Sequence, residues 1–289
     1  MSESPIYSEG LRALSGRDFD RLSEFISHHC GIKMPRGKKT LLESRLQKRL
    51  RTLGLRSFTD YCDFLFQTSS GSAELVHMID AVTTNKTDFF REPVHFTYLS
   101  ESVLPEFNNN RGTVPGRPFT VWSAGCSSGE EPYTLSIVLS EFASANPGFP
   151  FSILATDIST KVLDKARLAI YEMGQIAMIP YALKQKYFLR SKDRDKEQVR
   201  VVPQLRSLIQ FQRVNLMDER FPMSERSLDA IFCRNVMIYF TRETQFKLLW
   251  KFCRYIKTEG HLFLGHSETV HGFDLPLVRI ASTIYRKVS

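Results

Sequence analysis

One stretch constrains this chain more than any other: Phe119-Thr-Val-Trp-Ser-Ala-Gly-Cys-Ser-Ser-Gly-Glu-Glu-Pro-Tyr-Thr134, directly after Pro118. Phe119 to Trp122 are aromatic or β-branched, which suits a buried strand. Small residues follow from Ser123 to Gly129, and then Glu130, Glu131 and Pro132 suit the first turn of a helix. There carboxylates meet the positive end of the helix dipole, and proline loses no hydrogen bond. Strand, glycine turn and helix in that order open a mononucleotide-binding half of a doubly wound sheet.

Gly125 and Gly129 permit positive φ and let a ligand approach with no Cβ in the way. On the glycines alone, a tight turn in any α/β domain explains the stretch as well. A second strand, Phe151-Ser-Ile-Leu-Ala-Thr156, ends at Asp157. In this architecture the acidic residue after the second strand accepts hydrogen bonds from ribose hydroxyls, which favours a nucleoside site. The glycines are spaced Gly-x-x-x-Gly rather than Gly-x-Gly-x-x-Gly, and Glu130 and Glu131 stand where a pyrophosphate needs amides and no competing charge. That argues against NAD and FAD. A nucleoside carrying a positive group is better tolerated, and S-adenosylmethionine is the first candidate.

Charge adds a second constraint. The chain carries a net charge of +8. The segment from Ile32 to Ser57 holds nine basic residues (Lys33, Arg36, Lys38, Lys39, Arg45, Lys48, Arg49, Arg51 and Arg56) against Glu43 alone, so it accounts for the whole excess. A field this concentrated draws an acidic partner to one region. At 289 residues the chain can bury one large core or two smaller ones. The cysteines (Cys30, Cys62, Cys126, Cys233, Cys253) are odd in number, scattered and never spaced C-x-x-C. Reduced thiols in the cytosol are therefore expected, without a disulfide framework or structural zinc. Met1 to Gly10 has no apolar run of the signal-sequence kind, and no stretch approaches a membrane span, so membrane insertion is not expected.

Apolar spacing predicts helices over 17–30, ended by Gly31, and 38–53, ended by Gly54. The second has an apolar stripe of Leu42, Leu46, Leu50 and Leu53 within about 80° of arc. Arg45, Lys48 and Arg51 fall off that stripe and Arg49 lies at its edge. Solvated helices ordinarily mix signs, so the near-absence of acids favours a binding face. Ser57 with Asp60 three residues on caps a third helix to about Phe66, and a fourth spans Ala73 to Val82. A polar and aromatic run, Thr83-Thr-Asn-Lys-Thr-Asp-Phe-Phe-Arg-Glu92, precedes a helix near Pro93 to Phe107. Asn110 to Pro118 is a loop.

The α/β part then runs strand (119–122), helix (130–145), strand (151–155) and helix (159–169). Tyr181 to Phe188 is helical, and two short strands around a charged turn at 189–202 form a small insertion. Strands follow at 208–214, 229–233, 260–265 and 282–288, with a helix over 242–257. Ligands in open α/β sheets bind beyond the carboxyl ends of the strands. Gly125, Asp157, Asn215, Arg234-Asn235 and Gly265-His266 all stand at such ends and can line one cleft.

At these residues the chain resembles the CheR family of chemotaxis receptor methyltransferases. Thr83 to Glu92, Ser128-Gly-Glu-Glu-Pro-Tyr133, Phe232-Cys-Arg-Asn-Val-Met-Ile-Tyr-Phe240 and Gly265-His-Ser-Glu268 look like its signatures. The resemblance implies an α/β fold: a Rossmann-like S-adenosylmethionine-dependent methyltransferase sheet with a small β insertion, preceded by an all-α N-terminal domain. It implies a helical receptor-recognition domain over 1–82, a linker and helix over 83–118 contributing to the cofactor site, and a methyltransferase domain over 119–289 with its insertion at about 187–206. The implied activity is methyl transfer from S-adenosylmethionine to glutamate side chains of bacterial chemoreceptors, leaving S-adenosylhomocysteine.

Carried over by position, Asn85, Thr87, Arg91, Glu131, Asp157, Asn215, Leu216, Arg234, Asn235 and Tyr239 surround the cofactor, with Arg91 and Tyr239 acting on the substrate. Glu130 is the alternative to Glu131. Arg45, Lys48, Arg49 and Arg51 resemble the surface that the family presents to the receptor's cytoplasmic methylation region. In some members the β insertion also docks a receptor tail peptide. Here its turn, Ser191-Lys-Asp-Arg-Asp-Lys-Glu197, is heavily charged and lacks glycine, so that tether is not expected.

A glutamate with a pKa of about 4.3 is already ionised at neutral pH, so methyl transfer needs no general base. The lack of a His/Asp or paired-carboxylate device fits this chemistry. Arg91 can hold one carboxylate oxygen while the other attacks, and Tyr239 can donate to the same carboxylate or pack beside the methyl. No histidine has metal-site spacing, so no metal is expected. His266 is read as a structural strand-end residue. The rival enzymatic reading is a nucleic-acid methyltransferase, but no aromatic platform is interleaved with the basic run. A non-catalytic adaptor is opposed by Arg91, Asp157 and Tyr239 occurring together. A cytoplasmic monomer that binds no nucleic acid is expected.

Overall fold

The computed structural model describes residues 13–68, 71–110, 116–193 and 195–289. Met1 to Gly10, the middle of the loop after Asn110 and Arg194 of the charged turn lie outside the described residues. The chain forms two compact units that divide after Thr84.

Four α-helices build the first unit: α1 (Gly16–Cys30), α2 (Lys39–Leu53), α3 (Phe58–Gln67) and α4 (Gly71–Val82). Their ends follow the local chemistry. Ser15 and Ser57 accept from the amides of Asp18 and Asp60 at the starts of α1 and α3, and Gly31 and Gly54 end α1 and α2 in the left-handed conformation. Leu42, Leu46 and Leu50 of α2 are fully buried.

The four cations singled out on α2 divide into two kinds. Arg49 donates through Nε and Nη2 to the two carboxylate oxygens of Glu74 at 2.9 and 2.5 Å, while Tyr61 donates to the same Glu74 at 2.9 Å. Arg45 caps the end of α4 through the carbonyls of Val82 and Thr83. Lys48 and Arg51 are exposed. Arg49 is thus a core ion-pair partner rather than an open cation, because the edge of the apolar stripe brings it over buried Glu74.

The second unit opens with α5 (Val94–Tyr98), a π-helical turn (Leu99–Val103) and α6 (Leu104–Asn109). The sequence pattern reads these as one helix. Pro105 has no N–H for the carbonyl of Glu101, and the chain widens to a π turn just before it. Next come β1 (Phe119–Ala124), α7 (Glu130–Ala145), β2 (Phe151–Asp157), α8 (Thr160–Leu168), β3 (Ile170–Glu172), α9 (Tyr181–Tyr187), β4 (Phe188–Arg190), β5 (Gln198–Val201) and α10 (Pro203–Arg206). The chain closes with β6 (Ile209–Arg213), β7 (Leu228–Cys233), α11 (Arg242–Tyr255), β8 (Ile256–Leu264), β9 (Leu277–Ala281) and β10 (Ile284–Lys287).

Seven strands form one sheet in the order β6-β2-β1-β7-β8-β10-β9. The first five are parallel, and β10 runs antiparallel to both its neighbours. This is an α/β sheet of the mostly parallel kind with an antiparallel edge. The insertion is a separate sheet, β3-β5-β4. It has three strands where the sequence pattern predicts two, since the three residues of β3 are too few for an alternation to register.

β1 and β7 are buried on both faces, as central parallel strands require. On one face Trp122 is fully buried, edge-on to Phe221 and Phe252, and its indole N–H donates to Thr156 Oγ1 at 3.0 Å. The other face packs Phe119, Val121 and Phe232 against Phe96, Leu99 and Val103 of the helix before β1. This core fixes where the strands end, and beyond those ends lie the residues of interest.

Candidate active site

The turn after β1 is laid over the tip of β2. The amides of Gly125 and Cys126 both donate to the Thr156 carbonyl at 2.8 Å. Ser127, at φ 48°, then aims its amide at Asp157 Oδ2 (2.9 Å), and Ser159 N–H binds Oδ1 (2.9 Å). Two amides thus fix the orientation of a nearly buried carboxylate at the strand tip. Both glycines are at positive φ, but their surroundings differ from the expected ligand approach. A Cβ on Gly125 would stand 2.5 Å from Val236 Cγ2, and one on Gly129 would stand 2.8 Å from Tyr171 Oη. Close packing within the protein is what excludes a side chain there.

Arg234, just past β7, is the centre of the site. Its side chain is 2% exposed and donates to Glu131 Oε2 (3.2 Å), to Glu92 Oε2 (3.1 Å) and to the Arg91 carbonyl, with the guanidinium over the Phe96 ring. Glu131 also accepts from Ser123 Oγ on β1 at 2.7 Å. Glu130 turns the other way, to Ser128 (2.8 Å) and Gln175 (3.1 Å). The two adjacent glutamates therefore have distinct surroundings, and Glu131 is the one beside Arg234. Burial raises the pKa of Glu131, opposed by Arg234 and Ser123. Burial also works against ionisation of Glu92, but Arg234 and the His266 amide together hold its carboxyl below the ordinary range.

A second buried carboxylate shapes the neighbouring loop. Glu268 Oε2 accepts from the amides of Gly265 (2.7 Å) and Asn235 (2.9 Å), and Oε1 from those of Met237 (2.7 Å) and Ile238 (3.3 Å). Burial raises the pKa of Glu268, and the four N–H donors on its two oxygens oppose that shift by favouring the ionised form. Glu268 thereby pins Asn235, at φ 59°, and the turn Met237–Tyr239 that carries half-buried Tyr239. Sequence reasoning placed Glu268 in a signature but gave it no role. Its signal was present: a glutamate in a glycine-containing turn at a strand end.

The segment before α5 is fastened to the same elements. The Asn85 carbonyl accepts from Ser127 Oγ at 2.8 Å, and the Phe90 amide donates to Thr134 Oγ1 of α7 at 3.1 Å. Phe90 and Glu92 are both at positive φ, at 53° and 55°. Arg91 is half-buried and donates to the Lys86 carbonyl at 3.1 Å, and Thr87 is half-buried between them in the chain. Beyond β6, the Asn215 side chain accepts from the Met217 amide at 3.0 Å, which bends the chain so that Leu216 is buried. Lys251 of α11 donates to the carbonyls of Leu216 and Asp218, both at 2.6 Å.

Hydrogen bonds thus join Asn85 and Asp157 through Ser127, and join Arg91, Glu131, Arg234 and Asn235 around Glu92. Asn215 and Leu216 follow the end of β6, and Tyr239 lies in the turn Met237–Tyr239 after β7 of the same sheet. The four cations of α2 belong to the other unit.

Three carboxylates, Asp157, Glu131 and Glu92, face this region against the buried guanidinium of Arg234. That balance suits a nucleoside bearing a cationic centre and disfavours a pyrophosphate. The arrangement fits S-adenosylmethionine, and Asp157 stands at the β2 tip, the position from which an acidic residue accepts from ribose hydroxyls in this architecture.

Comparison with known proteins agrees with this chemistry. The family model described as CheR methyltransferase, SAM binding domain, matches residues 85–285, and that for the CheR methyltransferase all-alpha domain matches 17–83. The chain is 43% identical over 256 residues to a chemotaxis protein methyltransferase of Borreliella burgdorferi, covering 88% of this chain and 89% of that protein. Chemotaxis protein methyltransferase 2 of Pseudomonas aeruginosa is 38% identical over 98% of this chain and 97% of its own length. The chemotaxis protein methyltransferase of Escherichia coli is 36% identical over 94% and 91%. With both domain models matched in order along nearly its whole length, the chain belongs to the CheR family of S-adenosylmethionine-dependent chemotaxis methyltransferases.

Proposed function

We propose that the strand tips of the second unit bring a glutamate carboxylate of a chemoreceptor onto the methyl of S-adenosylmethionine, giving the glutamate methyl ester and S-adenosylhomocysteine. The observation that carries this reading is buried Arg234 tying Glu131 of α7 to Glu92 beside Arg91. The cofactor supplies a sulfonium-bound methyl open to in-line displacement. In this reading Asn85, Thr87, Arg91, Glu131, Asp157, Asn215, Leu216, Arg234 and Asn235 hold it.

Arg91 and Tyr239 position the incoming carboxylate. Arg91 binds one oxygen through charge-assisted hydrogen bonds and leaves the other to attack. The substrate is already ionised near neutrality, so neither residue needs to move a proton. Orientation and exclusion of water provide the rate. On the first unit, Lys48 and Arg51 are the exposed cations suited to the acidic methylation region of a receptor. No helix among the described residues is long and apolar enough to cross a membrane. A monomer acting in the cytoplasm on the receptor's cytoplasmic portion, without nucleic acid, is the working arrangement.

The deciding experiment is transfer of labelled methyl groups to receptor-containing membranes, with mapping of the modified side chains. Base-labile esters on glutamates are expected, and label on nucleic acid or on other side chains would refute the assignment. Arg91→Ala then tests positioning: kcat/KM should fall about a hundredfold, by more than S-adenosylhomocysteine binding weakens. Loss of cofactor binding with no separate catalytic defect would defeat that role.

A further inference from the structure

Three ligand atoms from Glu92, His95 and His266 lie within 4.8 Å of one another. Glu92 and His95 share one turn, and His266 comes from the loop after β8, 174 positions from Glu92. No spacing motif spans such a distance, which is why the sequence pattern predicts no metal ligand here.

The hydrogen bonds of His95 assign its tautomer. Nε2 lies 2.9 Å from Thr283 Oγ1, and that hydroxyl gives its own proton to the Ser282 carbonyl at 2.8 Å. Thr283 Oγ1 therefore accepts from His95, Nε2 carries the ring proton, and Nδ1 presents a bare lone pair. His95 is fully buried, and its Nδ1 has no hydrogen-bond partner among the described residues. That lone pair faces Glu92 Oε2 at 3.6 Å, and His266 Nε2 stands 3.9 Å from the same oxygen. A buried imidazole lone pair facing a carboxylate oxygen with no proton between them is unfavourable, and a cation between His95 Nδ1 and Glu92 Oε2 removes the conflict.

We propose that Glu92, His95 and His266 form a binding site for one divalent transition-metal ion of the zinc type, with the fourth position open. Two imidazoles and a carboxylate are a ligand set that suits Zn2+. A tetrahedral ion bonded at about 2.0–2.1 Å holds its ligand atoms roughly 3.3 Å apart. The 3.6 and 3.9 Å separations to Glu92 Oε2 are close to that value, and the remaining closure, within the 4.8 Å span of the three atoms, falls to His266, whose side chain is 57% exposed and able to turn inward. Glu92 Oε2 is also the acceptor for Arg234, so metal and guanidinium compete for one oxygen, while Arg234 keeps Glu131 and the Arg91 carbonyl. That competition and the nearby positive charge weaken the affinity.

The test is titration of the reduced, metal-free full-length protein, without a histidine tag, with Co2+ and then Zn2+. Visible absorption and calorimetry report binding independently of methyl transfer. One equivalent should bind, with nitrogen–oxygen ligand bands and no thiolate charge transfer. His266→Ala, at an exposed side chain, should weaken binding at least about tenfold. Glu92→Gln should do the same, while a His28→Ala and His29→Ala double variant on α1 should bind as the parent does. Wild-type affinity in His266→Ala, thiolate bands, or binding that does not saturate at one equivalent would each overturn the site.

Discussion

Arg234 and Glu131 meet 3.2 Å apart with side chains only 2% and 12% exposed, one carried past the end of β7 and the other in the first turn of α7. Each holds the other's charge in a place that water barely reaches. Removing one partner of such a pair strands the other, and the usual loss is about 3–5 kcal/mol. Arg234→Ala should lower the urea midpoint accordingly, with an unchanged slope. It should also abolish the rise in Tm produced by S-adenosylhomocysteine. Glu131→Gln keeps an acceptor for Ser123 and should lose less stability. Equal losses in the two variants would mean that the pair does not act as described.

Glu268 presents a different prediction, because all four of its partners are backbone amides. Glu268→Gln has nearly the same shape but places an NH2 against N–H groups. Two of the four bonds lose their acceptor, at about 2–4 kcal/mol in total. The turn that carries Tyr239 should loosen with them. Denaturation measures the first effect, and kcat/KM with receptor measures the second. Tyr239→Phe is the comparison: it should lose turnover while keeping the parent's stability.

On α2 the cations should separate into two phenotypes. Lys48→Glu and Arg51→Glu should raise the receptor KM about tenfold, an effect that shrinks with added salt as long-range attraction is screened. Arg49→Ala instead leaves Glu74, 3% exposed, without its charge partner. The first unit should lose several kcal/mol, visible in its unfolding before any receptor assay. A folded Arg49→Ala with only a binding defect would count against the core role of that pair.

The difference between Arg49 and Lys48 marks where sequence reading stops. Helix α2, its leucine stripe and its glycine end follow from spacing and capping, and so do β1, α7 and β2, because those patterns are local. Whether a cation at the edge of a stripe faces solvent or a buried acid depends on α4, which spacing within α2 does not encode. The strand-end residues Asp157, Asn215 and Arg234 were readable as a set because a parallel sheet brings its carboxyl ends together. Glu92, His95 and Glu268 were not, since each acquires its partners from loops far away in the chain. Strand β9 escaped for another reason: Val278 and Ile280 are 48% and 38% exposed, so an edge strand with outward apolar residues lacks the buried alternation of its neighbours.

Lys251 links α11 to the turn after β6, which is proposed to hold the cofactor, through the carbonyls of Leu216 and Asp218. Burial lowers its pKa to about 8, with Asp218 opposing the shift and Arg254 adding to it. Through those two carbonyls it holds the turn at 215–218. Lys251→Met should raise the KM for S-adenosylmethionine about tenfold, with kcat changed by less than about twofold. Lys251→Arg, able to donate to two carbonyls, should restore much of the loss. A matched fall in kcat with constant KM would place the residue elsewhere in the reaction.

His261 makes stability depend on pH in a calculable direction. It is buried on β8, paired in register with Arg286 of β10 and near the Tyr98 and Phe263 rings. Burial, with Arg286 adding to it, lowers its pKa to about 4. In the unfolded chain the ring takes its proton near pH 6.5. Below that value the unfolded state binds a proton that the folded state refuses, so folding stability falls as pH falls from about 6.5 towards 4 and is unaffected above that window. The loss from this residue reaches about 2 kcal/mol by pH 5. His261→Phe removes the titrating group while keeping an apolar ring among rings. Its stability relative to the parent should therefore rise by about 2 kcal/mol between pH 7.5 and pH 5, measured by urea unfolding at both values. Parallel pH profiles for the two proteins would show that the buried ring is not what titrates.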